Sequence, residues 1–68
     1  MTISLNGTPH SCEGPLSVEA LVDTLDLGPQ PVLVELNGEA VLTRDFSRQL
    51  VEEGDVVVEL LEFFLDAR

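Results

Sequence analysis

Two Asn-Gly pairs constrain the fold of this chain more than any other feature of its sequence. They stand at positions 6–7 and 37–38, and each follows a short segment rich in apolar residues. Asn and Gly accept the positive φ angles that a two-residue type I′ turn requires at both central positions. The sequence therefore predicts two β-hairpins, with strands at 2–6 and 8–12 around the first pair and at 32–36 and 39–41 around the second.

The turn length of the first hairpin also predicts its register. A two-residue loop fixes three pairs across the two strands: Leu5 with Thr8, Ile3 with His10, and Met1 with Cys12. Cross-strand partners lie on the same face of a sheet. We therefore expect His10 and Cys12 to share a buried face with Ile3.

Pro9 lies in the middle of the second strand of this hairpin. Its place opposite Ser4 is a non-hydrogen-bonded pair, so the N–H that proline lacks would point away from the first strand. Proline is tolerated there only at the edge of a sheet. We therefore predict that strand 8–12 is an edge strand.

A single amphipathic helix is predicted at 18–26. Ser17 is a favourable N-cap, and Val18, Leu21, Val22 and Leu25 follow at the spacing of one helical face. Gly28 followed by Pro29 predicts the end of the helix, because glycine is common just after the last turn and proline cannot continue it. The apolar stripe of a helix this short must bury against a sheet.

The C-terminal half predicts further strands around one helical turn. Phe46 and Leu50, four residues apart, predict a helical turn at 44–50 under the sheet. Segment 56–61 is nearly all apolar, which favours a central strand parallel to the first. The order hairpin, helix, strand, short strand, strand predicts an α+β fold of the β-grasp (ubiquitin-like) type: a mixed four- to five-stranded sheet packed on one main helix.

Length and charge narrow the class of function. The chain has 68 residues, 13 of them acidic and 3 basic, which gives a net charge of −10. Nucleic acid is therefore not an expected partner, since phosphate contacts require clustered Lys and Arg. A membrane is not expected either, because no segment approaches the roughly 20 apolar residues of a span. The single cysteine and the lack of a recognisable signal peptide predict a cytoplasmic protein.

Five short segments, in this order and at these spacings, give the chain a family resemblance. They lie at 3–7, 17–22, 34–39, 44–46 and 53–59, and the last reads Glu-Gly-Asp-Val-Val-Val-Glu. Together they resemble the ThiS/MoaD sulfur carriers, and ThiS most closely. The resemblance covers about residues 1–60.

The resemblance implies a carrier protein and not an enzyme. The residues agree with this expectation, since no catalytic constellation is visible and a single cysteine cannot form a metal site unaided, so no metal or cofactor is expected. In the family, an adenylating enzyme of the ThiF/MoeB type activates the terminal glycine carboxylate with ATP, and the product is converted to a thiocarboxylate. ThiS-like members then pass this sulfur to thiazole synthase on the way to thiamin. Those two enzymes are the partners that the resemblance implies.

The tail of this chain differs from the family pattern. The family ends in Gly-Gly, whereas the corresponding positions here hold Leu65-Asp66 or Asp66-Ala67, and the five glycines of the chain are all isolated. We expect a β-grasp domain at 1–62 and a C-terminal tail at 63–68. By correspondence with the family, the carrier terminus would be formed by Asp66, Ala67 and Arg68.

Phe63, Phe64 and Leu65 give the tail an apolar segment. This segment could fold back on its own sheet, or it could bind a partner or a second copy of the chain, because exposed apolar groups often mark interfaces. The alternative to a sulfur carrier is therefore a non-carrier β-grasp module for protein–protein interaction that uses its apolar tail, for example to form a homodimer. Cys12 is expected to be a small core residue and His10 a structural or partly exposed side chain.

Overall fold

The computed structural model of the protein describes residues 1–27 and 31–61. The elements in these two ranges are, in chain order, β1 (Thr2–Leu5), β2 (Thr8–Ser11), β3 (Leu16–Ser17), α1 (Val18–Thr24), β4 (Val32–Leu36), β5 (Glu39–Val41), a 3₁₀ turn (Thr43–Asp45), β6 (Leu50–Val51) and β7 (Val56–Leu61).

Five of the strands form one mixed sheet in the order β2-β1-β7-β4-β5. Strands β1 and β7 are parallel, and the other neighbouring pairs in this sheet are antiparallel. The predicted α+β architecture is confirmed, with β7 in the centre and β1 parallel to it. Strand β7 is the middle one of the five, between β1 and β4.

The first hairpin has the register that its turn predicts. Leu5 pairs with Thr8 and Ile3 with His10, and the Cys12 N–H donates to the Met1 carbonyl at 2.8 Å. Strand β2 lies at the edge of the sheet. The missing N–H of Pro9 therefore removes no bond between strands, and the edge prediction is confirmed.

Helix α1 begins where predicted and ends earlier than predicted. The Ser17 hydroxyl accepts the Ala20 N–H at 3.0 Å, which confirms the N-cap. The helix ends at Thr24 rather than at residue 26. The Leu25 N–H bonds to the Val22 carbonyl three residues back, and Asp26 adopts a φ of +52°, so the helical hydrogen-bond pattern stops there. The predicted stop residues Gly28 and Pro29 lie outside the described residues.

The core lies between the helix and one face of the sheet, here called the inner face. Its members are buried aliphatic side chains from both layers: Ile3, Val18, Leu21, Val34, Val51 and Val57. Met1, Leu5, Cys12 and Phe46 are among the partly buried residues that pack against it. The expected place of Cys12 beside the core is confirmed.

The prediction of a helical turn at 44–50 is wrong for its second half. The 3₁₀ turn covers only Thr43–Asp45, and Leu50 belongs to β6, where it is 52% exposed. Strand β6 pairs antiparallel with β3 in a two-stranded sheet that the sequence did not indicate.

A tertiary contact explains why the loop before β6 does not continue as a helix. The Val18 N–H donates to the Gln49 carbonyl at 2.8 Å, and the Glu19 N–H donates to the Phe46 carbonyl at 3.0 Å. The first N–H groups of a helix have no partner inside it. Carbonyl groups of residues 46–49 bind these donors of α1, and this fixes the loop against the start of the helix.

Candidate functional site

The site residues predicted from the sequence lie in the tail. They are Phe63, Phe64, Leu65, Asp66, Ala67 and Arg68, and all of them lie outside the described residues. The described part of the site is the strand that leads to them, β7, and the face that it presents. Two asparagine side chains hold this strand in the sheet. These features fix the position of β7, the last strand among the described residues.

An asparagine from the first Asn-Gly turn holds β7 near its C-terminal end. The Asn6 Oδ1 atom accepts the Glu59 backbone N–H at 2.9 Å, and Asn6 Nδ2 donates to Glu59 Oε1 at 2.9 Å. The Asn6 N–H also donates to the Val57 carbonyl. We call the two side-chain bonds the Asn6 clamp.

An asparagine from the second Asn-Gly turn holds the start of the same strand. Asn37 Oδ1 accepts the Val56 N–H at 2.9 Å, and Asn37 Nδ2 donates to Asp55 Oδ1 at 3.2 Å. We call this pair of bonds the Asn37 clamp. Both asparagines have a φ of +52°, so one residue type serves the turn and the neighbouring strand at once.

Sequence reasoning identified both asparagines as turn residues and missed these clamps. An asparagine side chain offers a donor and an acceptor, which suits it to bond a backbone N–H and a carboxylate together. The target strand lies far along the chain, 53 residues away for Asn6 and 19 for Asn37. The repeated Asn-Gly pair was the only signal in the sequence, and it does not specify the partner strand.

Glu59 places a carboxylate on the inner face of the sheet. Its partner on the neighbouring strand β4 is the buried Val34, and cross-strand partners lie on the same face of a sheet. Its Oε1 atom accepts the bond from Asn6. The other oxygen, Oε2, is shielded from solvent and has no hydrogen-bond partner among the described residues. A buried acceptor without a donor lowers the stability of the fold. Among the described residues, the bond from Asn6 is the side-chain hydrogen bond that holds this carboxylate.

The opposite face of the sheet, here called the outer face, carries an apolar surface. Alternate residues of β7 point to it, and Leu33 joins them from β4 as the partner of Leu60. The exposed fractions are 43% for Leu33, 47% for Val56, 43% for Val58 and 40% for Leu60. We call these four residues the outer-face patch. Contiguous exposed aliphatic groups of this kind mark interaction surfaces.

One carboxylate borders the outer-face patch. Glu35 pairs with Val58 across the sheet, so it lies on the outer face, and it is exposed. The chain as a whole carries a net charge of −10. A partner with an apolar surface and nearby basic groups would match this face in both hydrophobicity and charge.

Within residues 1–27 and 31–61, His, Cys, Asp and Glu side chains do not gather in a group of three that could hold a metal ion. His10 and Cys12 are half-buried beside the core on the edge hairpin. In the same part of the chain, no helix has the length and apolar content needed to cross a membrane.

Comparison with solved structures agrees with the architecture. The crystal structure of the thiamine biosynthesis protein ThiS from Geobacter metallireducens superposes with a TM-score of 0.83 at 33% sequence identity, over 90% of this chain and 93% of that one. A solution structure of a thiamine biosynthesis protein from the same organism gives a TM-score of 0.76 at 35% identity, over 88% of this chain and 81% of that one.

Two relatives extend the comparison to sequence. An uncharacterised protein, ycf40, of Porphyra purpurea is 30% identical over 57 residues, which is 84% of this chain and 80% of the relative. A thiazole synthase of Magnetococcus marinus is 36% identical over 63 residues, which is 93% of this chain but only 19% of that protein.

The family model described as the ThiS family matches residues 3–63, almost the whole chain. This match agrees with the five-stranded sheet, the single helix described and the structural likeness to ThiS. The members of the family are sulfur carriers and not enzymes, in keeping with the resemblance of the five segments. The chain therefore belongs to the ThiS family.

Proposed function

We propose that the chain is a sulfur carrier of thiamin biosynthesis, which holds sulfur as a thiocarboxylate at its C-terminal carboxylate. The observation that carries this proposal is the match of residues 3–63 to the ThiS family. The likeness to the Geobacter protein, which is described as a thiamine biosynthesis protein, supports the same pathway.

The chemistry needs a partner enzyme, because a carboxylate is a poor electrophile. A carboxylate oxygen of the carrier attacks the α-phosphorus of ATP, and pyrophosphate leaves. A hydrosulfide equivalent from a sulfur donor then attacks the acyl carbon, and AMP leaves with the oxygen. The carrier contributes a terminus that reaches the enzyme and a surface that docks on it.

The carrier terminus is assigned to Asp66, Ala67 and Arg68, so that Arg68 supplies the carboxylate in this sequence. Residues 1–62 form the docking body in this proposal and residues 63–68 the tail, with Phe63, Phe64 and Leu65 as additional contacts to the partner. Because β7 runs to Leu61 in the centre of the sheet, the tail starts from the most firmly held strand.

The proposed partners are an adenylating enzyme of the ThiF/MoeB type and thiazole synthase. A segment similar to this chain makes up 19% of the Magnetococcus thiazole synthase. Two units that occur in one polypeptide in one organism often associate when they are separate, and this favours the enzyme as a partner. The outer-face patch with Glu35 beside it is the docking surface proposed for these enzymes.

Mass spectrometry tests the carrier chemistry directly. The chain is incubated with the adenylating enzyme of its own organism, ATP and a sulfur donor. We expect the intact mass to rise by the difference between sulfur and oxygen, and fragmentation to place the change at Arg68. A reaction without ATP is the control. An unchanged mass in the complete reaction would contradict the carrier function.

Leu60→Ser tests the docking surface. We expect weaker binding to the adenylating enzyme, by about tenfold, because removal of a leucine side chain from an apolar interface costs on the order of 1–3 kcal/mol. The measurement is the dissociation constant from isothermal titration calorimetry. Leu50→Ser is the matched control, since Leu50 is 52% exposed but lies on β6, outside the patch. Equal losses in the two variants would contradict the proposed surface.

The alternative function, an interaction module without carrier chemistry, predicts a different pattern. Deletion of residues 65–68 would then leave activity intact. Replacement of Phe63 and Phe64 by serine would abolish self-association in sedimentation experiments. The carrier proposal predicts the reverse: loss of sulfur loading on deletion, and a loading reaction that does not require a dimer.

A further inference from the structure

The end of β7 is held differently on its two sides. On one side, β4 pairs with β7 as far as Leu61, where Val32 is the partner. On the other side, the β1 register pairs Ser4 with Val56 and Leu5 with Val57, and β1 ends at Leu5. The chain then turns back at Asn6-Gly7. The backbone of β1 therefore supports β7 over a shorter length than β4 does.

The Asn6 clamp extends this support to Glu59, two residues beyond the partner of Leu5. The Asn6 Oδ1 atom accepts the Glu59 N–H at 2.9 Å, in the way that a main-chain carbonyl of a neighbouring strand would. Its Nδ2 atom fixes the Glu59 carboxylate, also at 2.9 Å. The clamp thus gives β7 a side-chain hydrogen bond on the β1 side, two residues before the last strand residue, Leu61.

The bond from Asn6 to the Glu59 side chain also restrains the orientation of this residue. Glu59 lies on the inner face opposite the buried Val34, and its second oxygen is shielded from solvent. A carboxylate held at one oxygen and packed at the other cannot rotate freely. Twisting of β7 at Glu59 would break the Asn6 bond or disturb the packing of the carboxylate, so the clamp restrains the orientation of the strand at this residue.

We propose that Asn6 and Glu59 are positioning residues for the carrier terminus, and this inference rests on the proposed carrier function. They set the direction in which the chain after β7 leaves the sheet, and so they place the terminal carboxylate in the adenylating enzyme while the outer-face patch makes the docking contact. A reacting group misplaced by about 1 Å can lose about 100-fold in rate. The two residues therefore act on the rate of the bound complex rather than on its affinity.

The Asn37 clamp provides a matched control inside the same molecule. It has the same residue type and the same φ of +52°, and it makes one side-chain bond to the backbone of β7 and one to the carboxylate of Asp55, the residue before the strand. It holds Val56 at the start of β7, far along the strand from the exit. Substitution of either asparagine by glycine removes two side-chain bonds and keeps a residue that accepts positive φ.

The test compares Asn6→Gly with Asn37→Gly in ATP-dependent pyrophosphate release by the adenylating enzyme. We expect similar losses of unfolding free energy in urea for the two variants. For Asn6→Gly we expect kcat to fall about tenfold with a KM for the carrier within about twofold of the wild type. For Asn37→Gly we expect both constants within about twofold of the wild type.

Two substitutions of Glu59 test the same role, one that removes the hydrogen-bond acceptor and one that keeps it. Glu59→Ala removes the acceptor of Asn6 Nδ2, and we expect kcat to fall as for Asn6→Gly. Glu59→Gln keeps an oxygen acceptor at that position, and we expect most of the rate to return. A purely structural role would lower the folded fraction of the carrier, which is the substrate of this assay, and so raise its apparent KM at unchanged kcat, whichever clamp is removed.

Three outcomes decide between the alternatives. Equal kcat values for Asn6→Gly and Asn37→Gly would overturn the positioning role while leaving the carrier function intact. A raised KM with unchanged kcat for Asn6→Gly would also overturn it, because Asn6 would then act only in docking or in the stability of the fold. If the wild type itself releases no pyrophosphate, the carrier function fails and the positioning role fails with it.

Discussion

At the scale of single residues, the polar side chains that matter most act on the backbone of another element. Asn6 and Asn37 each bond a backbone N–H of β7, and the Ser17 hydroxyl bonds the Ala20 N–H. Each of these side chains satisfies a donor that its local structure would leave unpaired. We therefore expect substitution of these three polar residues to lower the free energy of unfolding.

Ser17→Ala tests the helix cap. We expect the free energy of unfolding to fall by about 1 kcal/mol, because the Ala20 N–H loses its acceptor at the start of α1. The measurement is urea unfolding followed by circular dichroism. Ser47→Ala is the control, since Ser47 is exposed in the turn after the 3₁₀ segment and should change stability by less than about 0.5 kcal/mol. A loss as small as that of the control would show that the cap contributes nothing.

At the scale of elements, the edges of the sheet differ in how they avoid pairing with another chain. Strand β2 lies at one edge and carries Pro9, whose ring replaces an outward N–H. Strand β5 lies at the other edge and has only three residues. A proline and a short strand are both recognised means of preventing edge-to-edge association. The apolar outer face therefore remains available for a specific partner without continuous strand pairing.

Pro9→Thr tests the role of the proline at the β2 edge. The substitution restores an outward N–H and a residue that favours strands, so we expect concentration-dependent self-association in sedimentation velocity. Stability should change by less than about 1 kcal/mol, because no bond to β1 involves this N–H. Ser11→Thr on the same strand adds no N–H and should associate as the wild type does. If Pro9→Thr shows no more association than the wild type at high concentration, the proline has no protective role.

At the scale of the whole molecule, the core is small and shared by every layer. Among residues 1–27 and 31–61, the six buried core residues come from β1, the helix, β4, β6 and β7. A single core of this size supplies only a few kcal/mol of net stability. Every layer therefore depends on the others, and we expect unfolding in one cooperative step.

Leu21→Ala tests this dependence. Leu21 is 1% exposed in the centre of the core, and truncation of a buried leucine costs about 2–5 kcal/mol. We expect a largely unfolded protein at 25 °C, measured by circular dichroism and the dispersion of amide resonances. Leu50→Ala, with a half-exposed side chain, should cost less than about 1 kcal/mol. A folded Leu21→Ala variant with nearly unchanged stability would show that the core is larger than its buried residues suggest.

The sequence by itself determined the features that depend on neighbouring residues. The Asn-Gly pair set the register of the first hairpin, Pro9 placed β2 at an edge, and Ser17 marked the start of the helix. Turn geometry, proline chemistry and capping act over a few residues, so the pattern of the chain is enough to predict them. The family resemblance rested on the same local segments and was confirmed.

Only the tertiary structure decided the features that join distant parts of the chain. The β3–β6 pairing draws Leu50 away from the predicted helical turn, because loop carbonyls bind the first N–H groups of α1. The exposure of Val58 and Leu60 depends on which face of β7 the helix covers. The bond from Asn6 to Glu59 spans 53 residues. Such contacts depend on the packing of whole layers, which a local pattern does not specify.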